Sequence, residues 1–368
     1  MYPNRWQKLY TALHKAGLDA LVLNPSPTLT YLTGLPFHLM ERPIVGIFRP
    51  EHSLVLILPE LERAKAEDLP YPVDVYTYGE DPSRWGETFQ RAAHAAGLRE
   101  CRVGVEPTRL RYLELRYLEA AAPSAAFVSG ENVIASLRMN KDAEEIASMR
   151  QAVRIAQQAL QAALQNFRVG MQEKELGAEL VLQLLRHGSE ANLPFYPIIA
   201  SGPNSANPHA AQTERPIQPG DLLIIDWGAT VNGYFSDLTR TFAIGEVDPE
   251  LAHIAAVVHQ ANQAGLEAAR PGIPAGEVDL AARKVIEAAG YGAYFIHRTG
   301  HGLGLDTHEP PYMYAQNPIP LEAGMTFTIE PGIYLPGRGG VRIEDDVVIT
   351  KDGAESLSDL PRQLQTLA

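Results

Sequence analysis

The sequence predicts an α/β domain followed by an α+β domain that contains an internal duplication. The first observation is length, because 368 residues exceed the usual span of one hydrophobic core. The second is a change of pattern near residues 130–140, and the third is a pair of similar segments in the second half. We therefore expect one domain over residues 1–132 and another over residues 140–368.

The first domain is predicted from alternating strand-like and helical segments. Short runs rich in Val, Ile, Leu and Tyr occur at residues 18–24, 44–48, 54–58, 73–78 and 102–105. Longer helical patterns lie between several of them, at residues 83–96 and 108–122. This alternation is typical of an α/β domain. No Gly-x-Gly-x-x-Gly follows a strand there, so a dinucleotide site is unsupported.

The second domain starts with a helix and then repeats itself. Apolar residues recur at helical spacing after residue 140. Residues 168–171 resemble residues 270–273, and the strand that ends in Asp226 resembles the strand that ends in Glu330. Shared turn chemistry at helix–Gly–helix junctions is the alternative explanation. A true duplication would make Asp226 and Glu330 equivalent carboxylates that point into one shared core.

A hairpin is predicted around Asn232-Gly233, a strong signal for a two-residue turn. With those residues as the loop, Gly228 lies opposite Asp237. Asp226 then shares a face with Asp237 as its diagonal neighbour, close enough for both carboxylates to reach one ion. A single strand aspartate could equally face solvent, but an unpaired acid inside an apolar run is costly to bury.

The later strands carry a similar set of polar residues. Glu330 ends one apolar run and Glu344 lies in the next strand, whereas Asp345 and Asp346 are interpreted as edge or surface acids. His301 lies among three alternating glycines, which let backbone or substrate approach closely and favour a ligand role over a structural one.

The candidate ligands form a hard, oxygen-rich set that suits Mn²⁺, Co²⁺ or Zn²⁺. The set is Asp226, Asp237, His301, Glu330 and Glu344. Two cations a few Å apart would lower the pKa of a bridging water and polarise a scissile carbonyl. Cys101 is the only cysteine, so a thiolate-rich site is excluded. Neither a serine-nucleophile elbow nor a His-Glu-x-x-His motif competes.

The amino-acid composition limits the kinds of partner and the cellular location that we expect for the chain. The chain has 44 acidic and 31 basic side chains and a formal net charge of −13, which argues against binding nucleic acid or an anionic membrane. The polar N-terminus lacks a secretory signal, and no apolar run approaches a membrane span. We therefore expect a cytoplasmic protein.

Five motifs occur in a fixed order. They are Asp226-Trp-Gly-Ala, Ser236-Asp237-Leu-Thr-Arg-Thr-Phe, Gly300-His301-Gly-Leu-Gly-Leu-Asp-Thr-His308-Glu, Ile329-Glu330-Pro-Gly-Ile-Tyr and Val341-Arg-Ile-Glu344-Asp. Together they resemble the proline-cleaving branch of the pita-bread metallopeptidases (family M24), which includes aminopeptidase P, Xaa-Pro dipeptidase and the non-metal enzyme creatinase. The resemblance covers about residues 140–350, and the first domain resembles the creatinase-like N-terminal domain of that family.

The resemblance implies a pita-bread catalytic domain with a pseudo-two-fold duplication and two divalent metal ions. It assigns Asp226 to one ion, His301 and Glu330 to the other, and Asp237 and Glu344 to both. Glu330 would also carry the proton from the water to the leaving nitrogen. Because every ligand position is filled, creatinase chemistry and a non-catalytic peptide-binding role are both disfavoured.

The resemblance also implies substrate contacts. His209 and His308 match two histidines that steady the scissile amide and the tetrahedral intermediate, and Arg342 matches an arginine that supports the site. For His209 alone, a surface loop would be the simpler interpretation.

Xaa-Pro dipeptidase is favoured over aminopeptidase P, which acts on longer Xaa-Pro peptides. Many prolidases carry an arginine four residues after the second histidine, but here that position is Tyr312. We hypothesise that Arg42 binds the dipeptide carboxylate instead, either in its own chain or across an expected homodimer. An exposed loop arginine is the alternative interpretation of Arg42.

Overall fold

The computed structural model describes residues 2–367, with the side chains of Tyr2 and Pro3 excepted. The chain divides into two compact units, Met1–Arg138 and Met139–Ala368. None of the helices formed by residues 2–367 is both long and apolar enough to span a membrane.

The first unit is a mixed sheet with helices. Its strands are β1 Ala20–Leu23, β2 Val45–Phe48, β3 Leu54–Pro59, β4 Val73–Tyr78, β5 Arg102–Val105 and β6 Ala126–Ser129. They follow the order β4–β3–β2–β1–β5–β6, with parallel β3–β4, β1–β5 and β5–β6 pairs. The helices are α1 Tyr2–Ala16, α2 Pro27–Thr33, α3 Trp85–Ala95, α4 Tyr112–Ala121 and α5 Glu131–Arg138. Short 3₁₀ helices occupy Glu60–Ala66 and Pro82–Arg84.

The predicted α/β class of this unit is confirmed. The five apolar runs named from the sequence all form strands of this sheet, while α1 and β6 were not anticipated. Apolar faces of α3 and α4 pack against the sheet, and Phe89 and Leu118 are fully buried there. Cys101 is a buried thiol of the same core.

The second unit consists of two helix pairs and two main sheets, which are antiparallel except for one parallel pair formed by the last strand. The helices are α6 Ala143–Gln165, α7 Glu173–Arg186, α8 Pro249–Ala268 and α9 Gly276–Ala288. The strands up to α8 are β7 Ile198–Ser201, β8 Leu222–Trp227, β9 Thr230–Val231, β10 Tyr234–Phe235 and β11 Leu238–Ile244. The later strands are β12 Gly300–Gly302, β13 Glu309–Met313, β14 Thr326–Ile329, β15 Gly332–Leu335, β16 Gly339–Arg342, β17 Asp345–Ile349, β18 Ala354–Ser356 and β19 Gln365–Leu367. Short 3₁₀ helices occupy Gly202–Ala206 and Gly292–Tyr294.

The two main sheets have similar topology. One follows the order β19–β11–β8–β7 and the other β13–β12–β14–β17–β18. The pairs β9–β10 and β15–β16 are separate ribbons. Helices α6 and α7 bury their apolar faces in a cluster with β8 and β11, where the indole of Trp227 donates to the carbonyl of Ala156 at 2.8 Å. Helix α6 begins with an acidic first turn, and its N-cap residue Asp142 forms a capping box with Glu145.

The internal duplication is visible in matching backbone turns. Gly170 precedes α7 with φ 89° and donates to the carbonyl of Ile217 at 2.8 Å. Gly272 precedes α9 with φ 84° and donates to the carbonyl of Leu321 at 2.8 Å. Both glycines adopt the left-handed conformation that side chains disfavour. The repeat therefore extends to specific hydrogen bonds and is more than shared turn composition.

The same correspondence holds at the strands that lead to the candidate site. Gly220 has φ 90° and donates to the carbonyl of Ile244 at 2.7 Å, and Gly324 has φ 88° and donates to the carbonyl of Ile349 at 2.9 Å. Each glycine enters the central strand of its sheet. Strands β8 and β14 are therefore equivalent, as the sequence predicted.

The hairpin register expected from the sequence is also confirmed. Asn232 and Gly233 have φ 52° and 77° and form the two-residue loop between β9 and β10. The register continues into β8 and β11, where Asp226 lies opposite Thr239. Asp237 thus stays on the same face as Asp226.

The interpretation of Asp345 and Asp346 as edge or surface acids was wrong, because both are buried in β17. Asp345 accepts from Arg240 at 2.6 Å and from Arg362 at 2.7 Å. The Asp346 carboxylate accepts from the backbone N–H of Asp237 at 3.1 Å. From sequence, two consecutive acids on a strand suggest at least one solvent-facing side chain. In the structure β17 is covered on both faces, and guanidinium groups or a backbone N–H donate hydrogen bonds to both carboxylates.

Candidate metal centre

The first two candidate ligands come from the β8–β11 hairpin. Asp226 is the penultimate residue of β8, and Asp237 immediately precedes β11. Both side chains are buried, with relative exposures of 8% and 4%. The guanidinium of Arg342 donates to Asp226 at 2.6 Å, and Asp346 holds the backbone of Asp237. These contacts fix the side chain of Asp226 and the backbone of Asp237.

The other three come from the second sheet. His301 lies in β12, Glu330 directly follows β14, and Glu344 precedes β17. The Nε2 atom of His301 lies 3.4 Å from Glu330 Oε1 and 3.7 Å from Asp237 Oδ2. Ligand atoms of Asp237, His301 and Glu344 all lie within 4.8 Å of one another. The structure thus gathers residues separated by more than 100 positions into one buried cluster.

A bridge between the duplicated halves holds these strands together. The N–H of Glu344 donates to the carbonyl of Thr239 at 3.1 Å, and the N–H of Thr239 donates back at 3.4 Å. The hydroxyl of Thr239 also donates to Glu344 Oε2 at 2.6 Å. Continuing the β14–β17 register by one residue puts Glu330 opposite Glu344, just as Asp226 lies opposite Thr239. Thr239 and Glu344 are therefore equivalent positions that meet at the local two-fold axis.

The glycines around His301 are required by close backbone packing. A Cβ on Gly300 would lie 1.8 Å from the carbonyl oxygen of Thr328, and one on Gly302 would lie 2.5 Å from the carbonyl oxygen of Glu309. Neither contact is tolerable for a real side chain. The glycine pattern seen in the sequence therefore lets β12 sit between its neighbours and present the imidazole.

The tautomer of His301 follows from its hydrogen bond. Nδ1 lies 3.2 Å from the carbonyl oxygen of Gly302, which can only accept, so Nδ1 carries the proton. Nε2 then turns a lone pair toward Asp237 and Glu330. Burial and the nearby His308 hold the pKa of His301 well below its ordinary value, so the imidazole is neutral. A lone pair that faces carboxylates is repelled by them unless a proton or a metal cation lies between.

The carboxylates show the same need for positive charge. Burial raises the pKa of Asp237 and Glu344 well above their ordinary values, and neighbouring acids add to the rise. Burial also raises the pKa of Asp226, although Arg342 opposes it, and raises the pKa of Glu330 to about 7. Among the described residues, Asp226 Oδ1 and Asp237 Oδ1 are buried without a hydrogen-bond donor. This donor set fits divalent cations, which would satisfy the orphan oxygens and relieve the repulsion.

Arg342, named from the sequence, connects the cluster to a residue that was missed. Its guanidinium donates to Asp226 at 2.6 Å, to the Thr239 hydroxyl at 3.1 Å and to the Tyr334 hydroxyl at 3.0 Å. Burial raises the pKa of Tyr334 to about 12, so the phenol keeps its proton. Tyr334 is the last residue of the motif that begins at Ile329. Its position in that motif was the sequence feature that could have identified it as part of the site.

His297 was also missed, and nothing in its local sequence marks it. Its Nδ1 lies 2.8 Å from the carbonyl oxygen of Arg298, so this nitrogen is the donor. Its Nε2 therefore accepts the proton of the Tyr334 hydroxyl at 2.9 Å. Burial lowers the pKa of His297 to about 4, which keeps the ring neutral. His297 and Tyr334 together hold the Arg342 guanidinium in place.

The two histidines expected to contact substrate lie on the solvent side of the cluster. The His308 ring packs edge-on against the His301 ring with centroids 4.0 Å apart, and its side chain is exposed. His209 is exposed as well. Arg342 donates to the carbonyl of the preceding residue, Pro208, at 3.2 Å, which places His209 next to the cluster.

Arg42 belongs to the first unit. Its guanidinium donates to Glu80 Oε2 at 2.7 Å and also contacts Glu41. The side chain is 25% exposed. Hydrogen bonding to Glu80 raises the pKa of Arg42, as expected for an ion pair at the surface of a loop.

Two family models match the chain. Residues 147–351 match metallopeptidase family M24, and residues 5–140 match the creatinase/prolidase N-terminal domain.

Similar proteins cover the whole chain. An Xaa-Pro dipeptidase from Pyrococcus horikoshii is 35% identical and aligns over 97% of both chains. The crystal structure of a dipeptidase from the same organism superposes with a TM-score of 0.92 at 40% identity, covering 99% of this chain and 100% of that one. A prolidase structure from Thermococcus sibiricus gives a TM-score of 0.93 at 34% identity, covering 100% of this chain and 99% of that one.

Proposed function

The chain belongs to metallopeptidase family M24, and from this premise we propose that it is an Xaa-Pro dipeptidase. The observation that carries the proposal is the buried cluster of carboxylates around His301, with orphan oxygens and a neutral imidazole. Full-length similarity to proteins named Xaa-Pro dipeptidase and prolidase supports the choice of substrate.

We propose that the cluster holds two divalent ions, with Mn²⁺ or Co²⁺ favoured and Zn²⁺ also compatible. Asp226 would bind one ion, His301 and Glu330 the other, and Asp237 and Glu344 both. The hard oxygen-rich donor set supports this assignment. Bound ions of this kind polarise a scissile carbonyl and acidify a water molecule.

Glu330 is the proposed proton carrier. Its pKa of about 7 in the metal-free chain means that the buried carboxyl can hold or lose a proton near neutral pH. It is also less enclosed than its neighbours, with a side chain 16% exposed. We assign to it removal of a proton from the attacking water and delivery of that proton to the leaving proline nitrogen.

His209 and His308 are the proposed contacts to the scissile amide. Both are exposed beside the buried cluster, so their ring N–H groups can reach a bound peptide. Donors aimed at the developing oxyanion stabilise the transition state of amide cleavage. Arg342 is assigned a supporting role, because its guanidinium already donates hydrogen bonds to Asp226, Thr239 and Tyr334.

The decisive experiment uses metal-stripped protein with an Xaa-Pro dipeptide and an Xaa-Pro-Xaa tripeptide, each with and without Mn²⁺ or Co²⁺. Metal-dependent cleavage of the dipeptide in preference to the tripeptide is expected. Asp237→Asn should remove that activity, while Asp352→Asn, at an exposed surface acid, should not. Preferential tripeptide cleavage would identify an aminopeptidase P. Failure to cleave either peptide with any metal would refute the proposal.

Arg42 is one candidate for the contact with the substrate carboxylate, acting in its own chain or across a proposed homodimer. Its guanidinium would first have to leave Glu80. Arg42→Ala should then raise KM for the dipeptide and leave KM for a tripeptide unchanged. Arg63→Ala, at another exposed arginine of the same unit, is the matched control. An unchanged dipeptide KM in Arg42→Ala would exclude the role.

A further inference from the structure

We propose that Arg298 binds the carboxylate of the dipeptide substrate, with Tyr312 as the platform that positions its guanidinium. This inference rests on the proposed dipeptidase function. A dipeptide carries its carboxylate one residue beyond the scissile bond, where a longer peptide carries a neutral amide. A cation placed a few ångströms from the hydrolytic cluster would therefore distinguish the two substrates.

Arg298 is placed beside the cluster by the chain itself. It lies two residues before β12 and three before His301. Its guanidinium carbon is 4.3 Å from the centroid of the Tyr312 ring, a distance typical of a cation–π contact. Tyr312 lies in β13 directly opposite His301 in the β12–β13 register. The cation is thus tied to the strand pair that carries the imidazole.

The guanidinium has unused hydrogen-bonding capacity. Within residues 2–367, neither an ion pair nor a side-chain hydrogen bond engages Arg298, which is half-buried. By contrast, the buried or half-buried arginines Arg342, Arg240 and Arg283 of this unit are each paired with an acid, namely Asp226, Asp345 and Asp279. Stacking on Tyr312 uses the face of the guanidinium and leaves its N–H edge for a planar carboxylate.

Tyr312 has a defined part in this arrangement. It is uncharged, so it cannot replace a carboxylate-binding arginine, but its ring restricts a flexible side chain to one place. Its backbone is fixed as well, since Asn317 donates to the Tyr312 carbonyl at 2.6 Å. The aromatic ring and not the hydroxyl is the functional part, so phenylalanine should substitute for it.

The test compares an Xaa-Pro dipeptide with the same dipeptide bearing a C-terminal amide, using metal-loaded full-length protein. Arg298→Gln should lower kcat/KM for the free acid about 10- to 100-fold, the loss expected for a charge-assisted hydrogen bond. The amide should be cleaved by Arg298→Gln and by wild type at equal rates. Arg270→Gln, at an exposed arginine of the same unit, should behave as wild type on both substrates.

Variants at the platform separate positioning from folding. Tyr312→Leu should raise KM for the free acid with little change in kcat, and Tyr312→Phe should retain wild-type KM. Bound metal per chain, measured on each variant, should stay at the wild-type value.

The outcomes are distinguishable. Equal loss on the acid and the amide in Arg298→Gln, or a selective loss in Arg42→Gln with none in Arg298→Gln, would overturn the role of Arg298 while leaving the dipeptidase function intact. A wild-type protein inactive on every Xaa-Pro dipeptide would overturn the proposed function itself, and the Arg298 proposal with it.

Discussion

At the scale of single residues, two adjacent imidazoles are predicted to have different roles. His301 turns a buried lone pair toward Asp237 and Glu330, whereas His308 packs against it from the solvent side. We expect burial and direction, and not residue type, to separate the ligand role of one ring from the substrate contact of the other.

The two histidines can be separated by metal content. His301→Ala should lose bound metal on dialysis together with activity, because the variant lacks a proposed metal ligand. His308→Ala should retain the wild-type metal content and lower kcat about 100-fold, the effect expected for loss of an oxyanion donor. Elemental analysis and steady-state kinetics on the same samples provide the comparison. Equal metal loss in both variants would contradict the division.

Glu330 should make the metal-free protein sensitive to pH. Its folded-state pKa is raised from 4.5 to about 7. Below about pH 4.5 the carboxyl is protonated in both the folded and the unfolded state, and its stabilising effect is fully present. As pH rises through about 7 the folded chain must bury the charge, and that stability is lost.

The corresponding measurement is urea unfolding of wild type and Glu330→Gln, in the presence of a chelator, at pH 5 and pH 8. Relative to the variant, the wild type should lose on the order of 3 kcal/mol between these pH values, from 1.36 kcal/mol per pKa unit. Bound metal should reverse the trend, because it binds the deprotonated carboxylate. A constant difference between the two proteins at both pH values would refute the assignment.

At the scale of elements, the central feature is the meeting of two equivalent strand pairs at Thr239 and Glu344. The duplication places the acid Glu344 of one half against the hydroxyl of Thr239 in the other half. Because these equivalent positions carry different side chains, only one of them contributes a carboxylate to the candidate site. Buried charge compensation then holds β11 against β17 through Arg240 and Asp345, whose side chains are 4% and 1% exposed. Asp237 and Glu344, which directly precede these two strands, therefore depend on this ion pair for their positions.

Asp345→Asn should therefore be strongly destabilising. It removes the counter-charge of a buried arginine, which costs about 3–5 kcal/mol for a buried ion pair. Asp352→Asn, at an acid with an 82% exposed side chain, should change stability by less than about 0.5 kcal/mol. Urea unfolding followed by Trp227 fluorescence, in a Trp6→Phe/Trp85→Phe background, reports on the unit concerned. A loss below about 1 kcal/mol in Asp345→Asn would show that the pair is dispensable.

At the scale of the whole molecule, metal binding and folding of the second unit should be linked. The five acidic and imidazole groups are buried close together with raised or lowered pKa values, so the metal-free unit carries electrostatic strain. A ligand that binds only the folded state stabilises it by about 2.7 kcal/mol at one hundred times its Kd. The fold thus gathers buried acids whose mutual repulsion a bound cation would relieve.

Addition of Mn²⁺ to metal-stripped protein should accordingly raise the Tm in calorimetry, and a chelator should reverse the shift. Where the two units unfold in separate steps, only the step of residues 139–368 should move. Asp237→Asn should lose the increment, because it removes a ligand proposed to contact both ions. Equal shifts in wild type and Asp237→Asn would show that the metal acts elsewhere.

The sequence by itself determined the features that arise from local patterns. Alternating apolar runs specified the α/β first unit, Asn232-Gly233 specified the hairpin register, and the repeated glycine turns specified the duplication. The same local spacing identified Asp237, His301 and Glu344, which the structure gathers. Each of these features depends on backbone preferences that act over a few residues, so the sequence alone is enough to predict it.

Only the tertiary structure decided which side chains share an environment. Asp345 and Asp346 looked exposed because the sequence does not show that β17 is covered on both faces. The contact of Arg298 with Tyr312 depends on β12–β13 pairing. Likewise, the packing that brings His297 to Tyr334 has no sequence signal. Burial and partner choice are properties of long-range packing, and they set the charge of each group.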